Sequence, residues 1–590
     1  MYLCTMKRIA LFLCLCTLSA VCTAQRTTAN AKSRHLTYNV YEYGDTKDTS
    51  HIYIETDGAV YWIIPELPQG ILVPGYGQEY TQVDFDNDTV THYLKYHDST
   101  FFYGTTLSRN DIEWRIDTID RHQIKYTCSI NSNKMEFLMD ESSHRNITPL
   151  CHYDRLPGVL TAFWRNGQMQ MQLDQADNST MTLPSPDISR CRKVTPRQMS
   201  QIKNTRLILT TRIFDDEQLC WGKTNTHIIG DIPFDSVMHF AGGTVIVKRV
   251  HLPQLPSHYQ TFVELHQKSN GDAYDRTGCV FIVPTGCDTT FFAGLNHHPD
   301  SLPLFYGKDG QRYQGIRLTT TKEGHTGYEP IVELMRFFTP FGVGHFNQRL
   351  QIDGLTWASE SYYKQEITDL SDRISGDVLI GAFIGNYDGG GHKITMDIKS
   401  YPGSELWAPG KETAFCTNPN ETGITESVHT HSISLFNTCN VLEMAGQNYG
   451  KLFAQDSLTV SFDLPEGCTN VRLRYISTGH GGWEGGDEFN PKTNTILIDG
   501  KSTLTHTPWR EDCGCYREKN PVSGNFWNGM SSSDYSRSGW CPGTATQPTY
   551  FYLTDIKPGR HTITVAIPQG APLDGSFSYW NVSGLILYEQ

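Results

Sequence analysis

KITMDI, at 393–398, alternates polar and apolar residues one by one. Successive side chains of a strand point to opposite faces, so this is a strand with one wet face and one buried face. QMQMQL at 168–173 repeats the pattern in the first third of the chain. Around them lie short runs rich in β-branched and aromatic residues: RLILTTRIF at 206–214, TVIVKRV at 244–250, GCVFIV at 278–283, DVLIGAFIG at 377–385, NVRLRYIS at 470–477 and HTITVAI at 561–567. Each is bounded by Gly, Pro, Asn or Asp, the residues that end strands. Only 195–202 and 367–374 read as short helices. An all-β chain with strands at such spacing predicts sandwiches or jelly rolls, not a parallel sheet.

The 590 residues are enough for several domains, each with its own core. Gly, Asn and Pro cluster at 222–233, and Pro and Gly again in SYPGSELWAPG at 400–410. These divide the chain into 25–225, 226–400 and 401–590. Residues 1–24 read as a signal peptide: Lys7 and Arg8 precede an apolar stretch at 9–21 that is too short to span a bilayer, and Thr23-Ala24-Gln25 suits cleavage. A lipid anchor at Cys22 is disfavoured by Val21. The expected location is outside the cytoplasm: periplasmic, cell surface or secreted. No membrane span is expected beyond the leader.

Net charge is −14, which argues against nucleic acid and anionic membrane as partners. Four of the sixteen cysteines fall in the leader, and the even remainder suits disulfides. Cys279 and Cys287 are placed to staple a hairpin, Cys416 and Cys439 to close a loop. There is no HExxH, GxSxG or P-loop, and no CxxC pair. No metal or cofactor is expected; His297, His298, His429 and His431 read as surface residues.

Three constellations carry chemistry. GDAYDR at 271–276 enters the strand GCVFIV, and Asp275 and Arg276 share one site only at the strand mouth, because neighbours on a strand face opposite ways. GHGGWEGGDEF at 479–489 places His480, Trp483, Glu484, Asp487 and Glu488 on a loop with five glycines. DYSRSGWCPG at 534–543 offers Arg537 as a two-pronged donor, Trp540 as a sugar-stacking face, and Cys541 as a crosslink to Cys513 or Cys515. The bland reading of each is a polar surface turn, the last closed by a disulfide.

These blocks, with RFFTPFGVG at 336–344 and GHKITMDI at 391–398, resemble in order the peptide:N-glycosidase F family of bacterial N-glycan amidases. The resemblance covers roughly 235–590. It implies two adjacent eight-stranded antiparallel jelly rolls, at 226–400 and 401–590, behind a β-rich N-terminal accessory domain at 25–225. HYDRLPGVLTAFW at 152–164 within that domain is similar to the GLPGLI family of small exported β-proteins. The implied reaction hydrolyses the amide between Asn and the proximal GlcNAc of an N-glycoprotein or glycopeptide, giving Asp and a glycosylamine, in a monomeric enzyme. By the resemblance Asp275, Glu488 and Arg537 are catalytic, and Asp272, Arg276, His480, Trp540 and Gly385 bind substrate.

Three departures from the family pattern matter. The family carries a Glu, and two residues later a Trp, on the strand before GHKITMDI; an ungapped match puts Phe383 and Gly385 there. Asp388 is the nearby acid that could stand in. Gly486 and Asn490 replace cysteines flanking the family Glu, and no Cys precedes GDAYDR. Losing the Trp opens a wall beside the first sugar, so the sequence predicts tolerance of core fucose, including the α1,3 linkage. The rival readings are a non-catalytic glycan-binding or adhesion protein on the same fold, and a glycosidase, which would leave GlcNAc on the peptide.

Overall fold

The computed structural model describes residues 33–590 apart from 43–44, 55–59, 66–76, 97–98, 107–111, 131, 143–155, 180–186, 256–258, 321–325, 403–429, 449, 482–484 and 572–576. The leader, Cys416, His429, Trp483 and Glu484 lie outside the described residues. No described helix is long and apolar enough to cross a membrane.

Two compact units divide at Leu207/Ile208. The N-terminal unit is one twelve-stranded sheet: two antiparallel meanders, within Ser33–Thr106 and Arg115–Ser179, join where Ser33–Glu42 pairs antiparallel with Gln168–Ser179, and Arg192–Lys193 adds a parallel edge contact on Thr100–Thr106. QMQMQL opens the strand Gln168–Ser179, with Met171 in the core among Leu36, Tyr38, Phe137 and Phe163. The helix expected from 195 is Pro196–Leu207. Thr195 and Gln198 close a capping box, each side chain accepting from the other's backbone N–H, and Pro196 follows the cap.

The second unit is the double jelly roll. In the first roll a four-stranded sheet is ordered Leu209–Leu219, His392–Pro402, Tyr259–Ser269, Ser361–Glu366. It faces a six-stranded sheet ordered Met238–Phe240, Val245–Leu252, Gly376–Ile384, Thr277–Val283, Val332–Phe338, Ala545–Thr546. Ile394, Met396 and Ile398 are buried between them, as the alternation in KITMDI requires. The second roll pairs two four-stranded sheets, one with Thr469–His480 and Tyr579–Glu589 at its centre, the other with Gly559–Ala566 and Asn494–Ile498.

The strand Leu209–Leu219, expected in the N-terminal domain ending at 225, pairs with His392–Pro402 along its length. Ile213, Phe214 and Leu219 fill the first roll's core. The Gly/Asn/Pro stretch after it is therefore a loop inside the roll, not a linker. Residues 367–374 hold only the short turn Thr368–Leu370 instead of a helix.

The two rolls are joined by more than contact. Ala545–Thr546 from the C-terminal half adds to the edge of the first roll's sheet, opposite Phe337 and Arg336. Arg336 and Glu333, both fully buried, pair across 2.6 Å, and Arg336 also donates to Thr478 Oγ1 and the Asn581 carbonyl of the second roll. Arg474 reaches back to the Glu333 and Leu334 carbonyls. Cys279 and Cys287 are free thiols, and the buried Cys279 side chain meets that of Cys439. The expected hairpin staple is not formed, because Cys279 lies on the strand face that packs toward the second roll.

Candidate active site

Asp275 sits in the turn between the strands Tyr259–Ser269 and Thr277–Val283, at the mouth of the latter. Thr339 of RFFTPFGVG clamps this turn. Its hydroxyl donates to the Tyr274 carbonyl and accepts from the Arg276 N–H at 2.7 Å, while its own N–H donates to the Arg276 carbonyl. Gly271 has φ 147°, and a Cβ there would press on Asp388 Oδ1 at 2.7 Å.

Asp272 has a different role from the one expected of it. It is 2% exposed, accepts from Arg276 Nε at 2.7 Å and from the Tyr274 N–H, and lies 3.6 Å from His392. Burial alone would raise its carboxyl, but His392 and Arg276 outweigh that and hold it down to about 2. It is a permanent buried anion that orients Arg276, out of a substrate's reach. The Arg276 guanidinium, so held, lies against the rings of Tyr274 and Tyr387 at 5.0 and 5.4 Å, on the Asp272 side of the turn.

Glu488 and Arg537 come from the two Gly-rich loops, which zip together. Ser538 donates from its N–H to the Glu488 carbonyl and from its hydroxyl to the Asp487 carbonyl, and the Gly479 N–H donates to Ser538. Asp487 and Glu488 diverge. Asp487 is fully buried and accepts from the Trp580 indole N–H at 2.7 Å and from the Gly570 N–H, while Glu488 turns to Arg537. Gly539 has φ 85°, and a Cβ there would lie 2.5 Å from the Ser477 carbonyl oxygen.

Arg537 and Arg510 exchange backbone hydrogen bonds, and the disulfide Cys513–Cys541 ties the same segment down. Cys513 is thus the partner among the two expected; Cys515 is an exposed free thiol. The crosslink spans 28 residues. Its loss, as Cys513→Ser, is expected to cost about 3–4 kcal/mol of unfolding free energy by chain entropy. Urea denaturation reads this, and peptide mapping of the wild type should recover Cys541 joined to Cys513. A Cys515–Cys541 peptide would contradict the pairing.

One nitrogen gathers the site. Arg537 Nη1 lies 2.5 Å from Glu488 Oε1 and 3.4 Å from Asp275 Oδ2. Nη2 is occupied by the Ser532 carbonyl at 2.7 Å, and the guanidinium packs on Trp540 and Phe489 at 4.5 and 5.0 Å. Arg537 is fully buried, while each carboxylate keeps 19% of its side chain open. Burial pushes Asp275 up to about 7; Arg537 opposes this, and the charge of Glu488 adds to it. Burial also raises Glu488, against the pull of Arg537. The two carboxylates thus meet on one fixed cation, and the charge of Glu488 bears on the protonation of Asp275.

Two expected substrate contacts are corrected. Trp540 is 3% exposed, stacks on Phe338 at 4.2 Å and donates its indole N–H to the Gly479 carbonyl, so no face is left for a sugar. His480 is 4% exposed, stacked on Tyr579 and tilted against Trp540. Its Nε2 meets Thr478 Oγ1 at 2.8 Å. Burial, then Arg336 and Arg537, push its pKa well below the usual imidazole value, so it stays neutral. Both side chains form a floor under Arg537.

Gly385 follows the strand Gly376–Ile384, and its N–H donates to the Thr277 carbonyl. A Cβ there would collide with Glu443 Oε1 and lie 3.2 Å from the tip of the Phe383 ring. The space left by the missing side chain is therefore taken by a carboxylate from the second roll. Phe383 itself is 1% exposed, in a core with Val441 and Leu442. Asp388 does not stand in, because Oδ1 is spent on the Gly390 and Gly391 N–H groups of its own turn. Glu443 and Tyr579 were missed in the sequence, where no motif or spacing marks either.

The profile described as peptide-N-glycosidase F, N terminal, matches residues 210–400, and the C-terminal profile matches 448–587. The crystal structure of PNGF-II is 34% identical, covering 94% of this chain and 98% of that one, with a TM-score of 0.66. The chain belongs to the peptide-N-glycosidase F family. A second crystal form of PNGF-II gives 34% identity and a TM-score of 0.62, covering 94% of this chain and 99% of that one. PNGase F, described as a glycosylasparaginase from Flavobacterium meningosepticum, is 16% identical, covering 65% of this chain and 96% of that one, with a TM-score of 0.40. No match was found among curated proteins. The N-terminal family region opens at 210, within the strand that the fold assigns to the first roll.

Proposed function

We propose that this protein hydrolyses the amide between Asn and the proximal GlcNAc of N-glycoproteins and glycopeptides. The observation that carries the reading is the single Arg537 nitrogen shared by Asp275 and Glu488 in a half-closed site. Asp275, ionised, takes a proton from the attacking water. The carbonyl oxygen becomes an oxyanion, and the Arg537 guanidinium is the fixed cation nearest to it. As the C–N bond breaks, the proton passes to the leaving nitrogen, giving aspartate in the peptide and a glycosylamine, which loses ammonia in water. Glu488 holds Arg537 in register and, on its open side, accepts from the substrate. Mass spectrometry of a treated glycopeptide tests this: Asp at the former glycosylation site, a gain of one dalton over Asn, is expected. A peptide keeping one GlcNAc would make the protein a glycosidase, and an unchanged but bound glycopeptide would make it a lectin.

The proposal extends to core fucose. Where a rigid aromatic wall would stand there is Gly385, and the space holds the unbranched, partly buried Glu443 side chain in place of a ring. Glycopeptides with α1,3-fucose on the proximal GlcNAc should therefore be cut at rates within about tenfold of the unfucosylated match, a barrier difference of at most about 1.4 kcal/mol. Gly385→Trp should remove this acceptance. Rejection of the fucosylated peptide by the wild type would end the idea. Export through the leader is part of the same proposal, tested by N-terminal sequencing of the mature protein.

A further inference from the structure

A cavity of about 460 Å³ opens beside the segment that follows Arg537. Small-molecule sites run ~300–1,000 Å³. Its walls come from both rolls: Tyr362 from the strand Ser361–Glu366 of the first, Trp509, Arg510, Tyr516 and Lys519 from the second. Asp275, Glu488 and Arg537 do not line it, so it is separate from the reaction site. No Asp or Glu lines it either, on a chain whose net charge is −14.

Three ammonium or guanidinium side chains reach the cavity, and two of them are already answered. Lys364 pairs with Glu264 at 2.9 Å and lies over the rings of Phe262 and Tyr401. Arg510 places Nε and Nη2 on the two oxygens of Asp512, at 2.9 and 2.5 Å, and Nη1 on Thr544 Oγ1. Lys519 differs. Its ammonium donates to the Gly543 carbonyl at 3.3 Å, and among the described residues no carboxylate stands in ion-pairing reach of it. The stem is packed: Gly543 has φ 83°, and a Cβ there would lie 3.1 Å from Lys519 Cδ. The Tyr516 ring lies 5.5 Å from the ammonium. Burial pushes the Lys519 amine below the ordinary lysine value, and the charge of Glu518 offsets this only in part. A half-buried ammonium with one neutral acceptor has two protons left, and an anion would satisfy them.

The remaining wall suits a sugar better than a bare ion. Trp509 is half-buried, and among the described residues its indole N–H has no acceptor and no aromatic ring stacks on it. Tyr362 is 43% exposed, and Tyr516 adds a third ring. Such rings offer an apolar face to the C–H groups of a pyranose and a polar edge to its hydroxyls.

We propose that this cavity binds a sugar bearing a carboxylate, its acid group on Lys519 and its ring against Trp509. The site is independent of the amidase reading. Isothermal titration of the whole protein with sialyllactose, lactose and acetate tests it. Sialyllactose is expected to bind about 10- to 100-fold tighter than lactose, the margin of a charge-assisted hydrogen bond. Lys519→Met keeps the packed stem and should remove that margin, whereas Lys519→Arg should keep most of it. Trp509→Ala should weaken both sugars. Thermal midpoints are measured alongside; should Trp509→Ala fold poorly, the two Lys519 variants decide. Equal affinity for sialyllactose and lactose, or a margin that survives Lys519→Met, would overturn the assignment. Acetate that competes as well as sialyllactose would reduce the cavity to an anion site and overturn the sugar. The source of the acid is read from KM. A lower KM for a sialylated glycopeptide than for its asialo match, lost in Lys519→Met, assigns it to the antennae of the substrate. Equal KM values with sialyllactose still bound assign it to a separate acidic glycan, and either result keeps the site. A wild type that releases no aspartyl peptide removes the amidase reading and leaves the titration standing.

Discussion

Asp275→Asn should lower glycopeptide turnover by ~10²–10⁴-fold, the range for loss of a general base. The substitution keeps shape and a hydrogen-bond acceptor but cannot take the proton. Because the carboxyl is pushed up to about 7, kcat/KM of the wild type should climb with pH below that value and level off above it. The variant's residual rate should lack this limb. Stability runs the other way. A carboxyl whose folded pKa lies above its ordinary value favours the folded state below that ordinary value, and the contribution is lost as pH rises through about 7. Asp275→Asn should therefore be at least as stable as wild type at pH 8, measured by urea denaturation. Wild-type turnover in the variant would end the mechanism, and a large loss of stability at pH 8 would make Asp275 a structural residue.

The contrast between local and distant information explains what the sequence disclosed. KITMDI and its neighbours gave the all-β class because strand alternation is a nearest-neighbour property. The Asp275–Glu488–Arg537 cluster was legible through motifs whose own loops are tightly hydrogen-bonded, so each motif moves as a block. Burial was not legible. Trp540 and His480 read as contacts because aromatic residues on Gly-rich loops so often are, yet Phe338 and Tyr579, distant in sequence, cover them. Asp272 was misread for the same reason, its locked ion pair depending on His392. Glu443 was invisible because its place beside Gly385, distant in sequence, is set by the fold and by the side chain missing there. The early start of the first roll was missed because a Gly/Pro loop looks alike inside a domain and between domains.

The largest expected effect on stability comes from the pair beneath the site. Arg336 donates through Nε and Nη2 to both oxygens of Glu333, at 2.8 and 2.6 Å, and both residues are fully buried. Arg336→Ala leaves the Glu333 carboxylate with only the Asn437 amide at 3.3 Å. Such an uncompensated buried charge is expected to cost about 3–5 kcal/mol. The same change removes the donors to Thr478 and Asn581 that cross from one roll to the other. Replacing both partners, as Glu333→Leu with Arg336→Met, should recover most of the loss, because desolvation of two charges disappears with their attraction. Urea denaturation of the two singles and the double gives the cycle. A single-variant loss below about 1 kcal/mol would mean that water reaches Glu333, as at a surface pair. The double should also separate folding from chemistry. Arg336 is one of the two cations that keep His480 neutral, and Thr478 Oγ1 links them. A double variant that regains stability but not turnover would place the interior charge under Arg537 among the requirements of the reaction, and one that regains both would confine it to holding the rolls together.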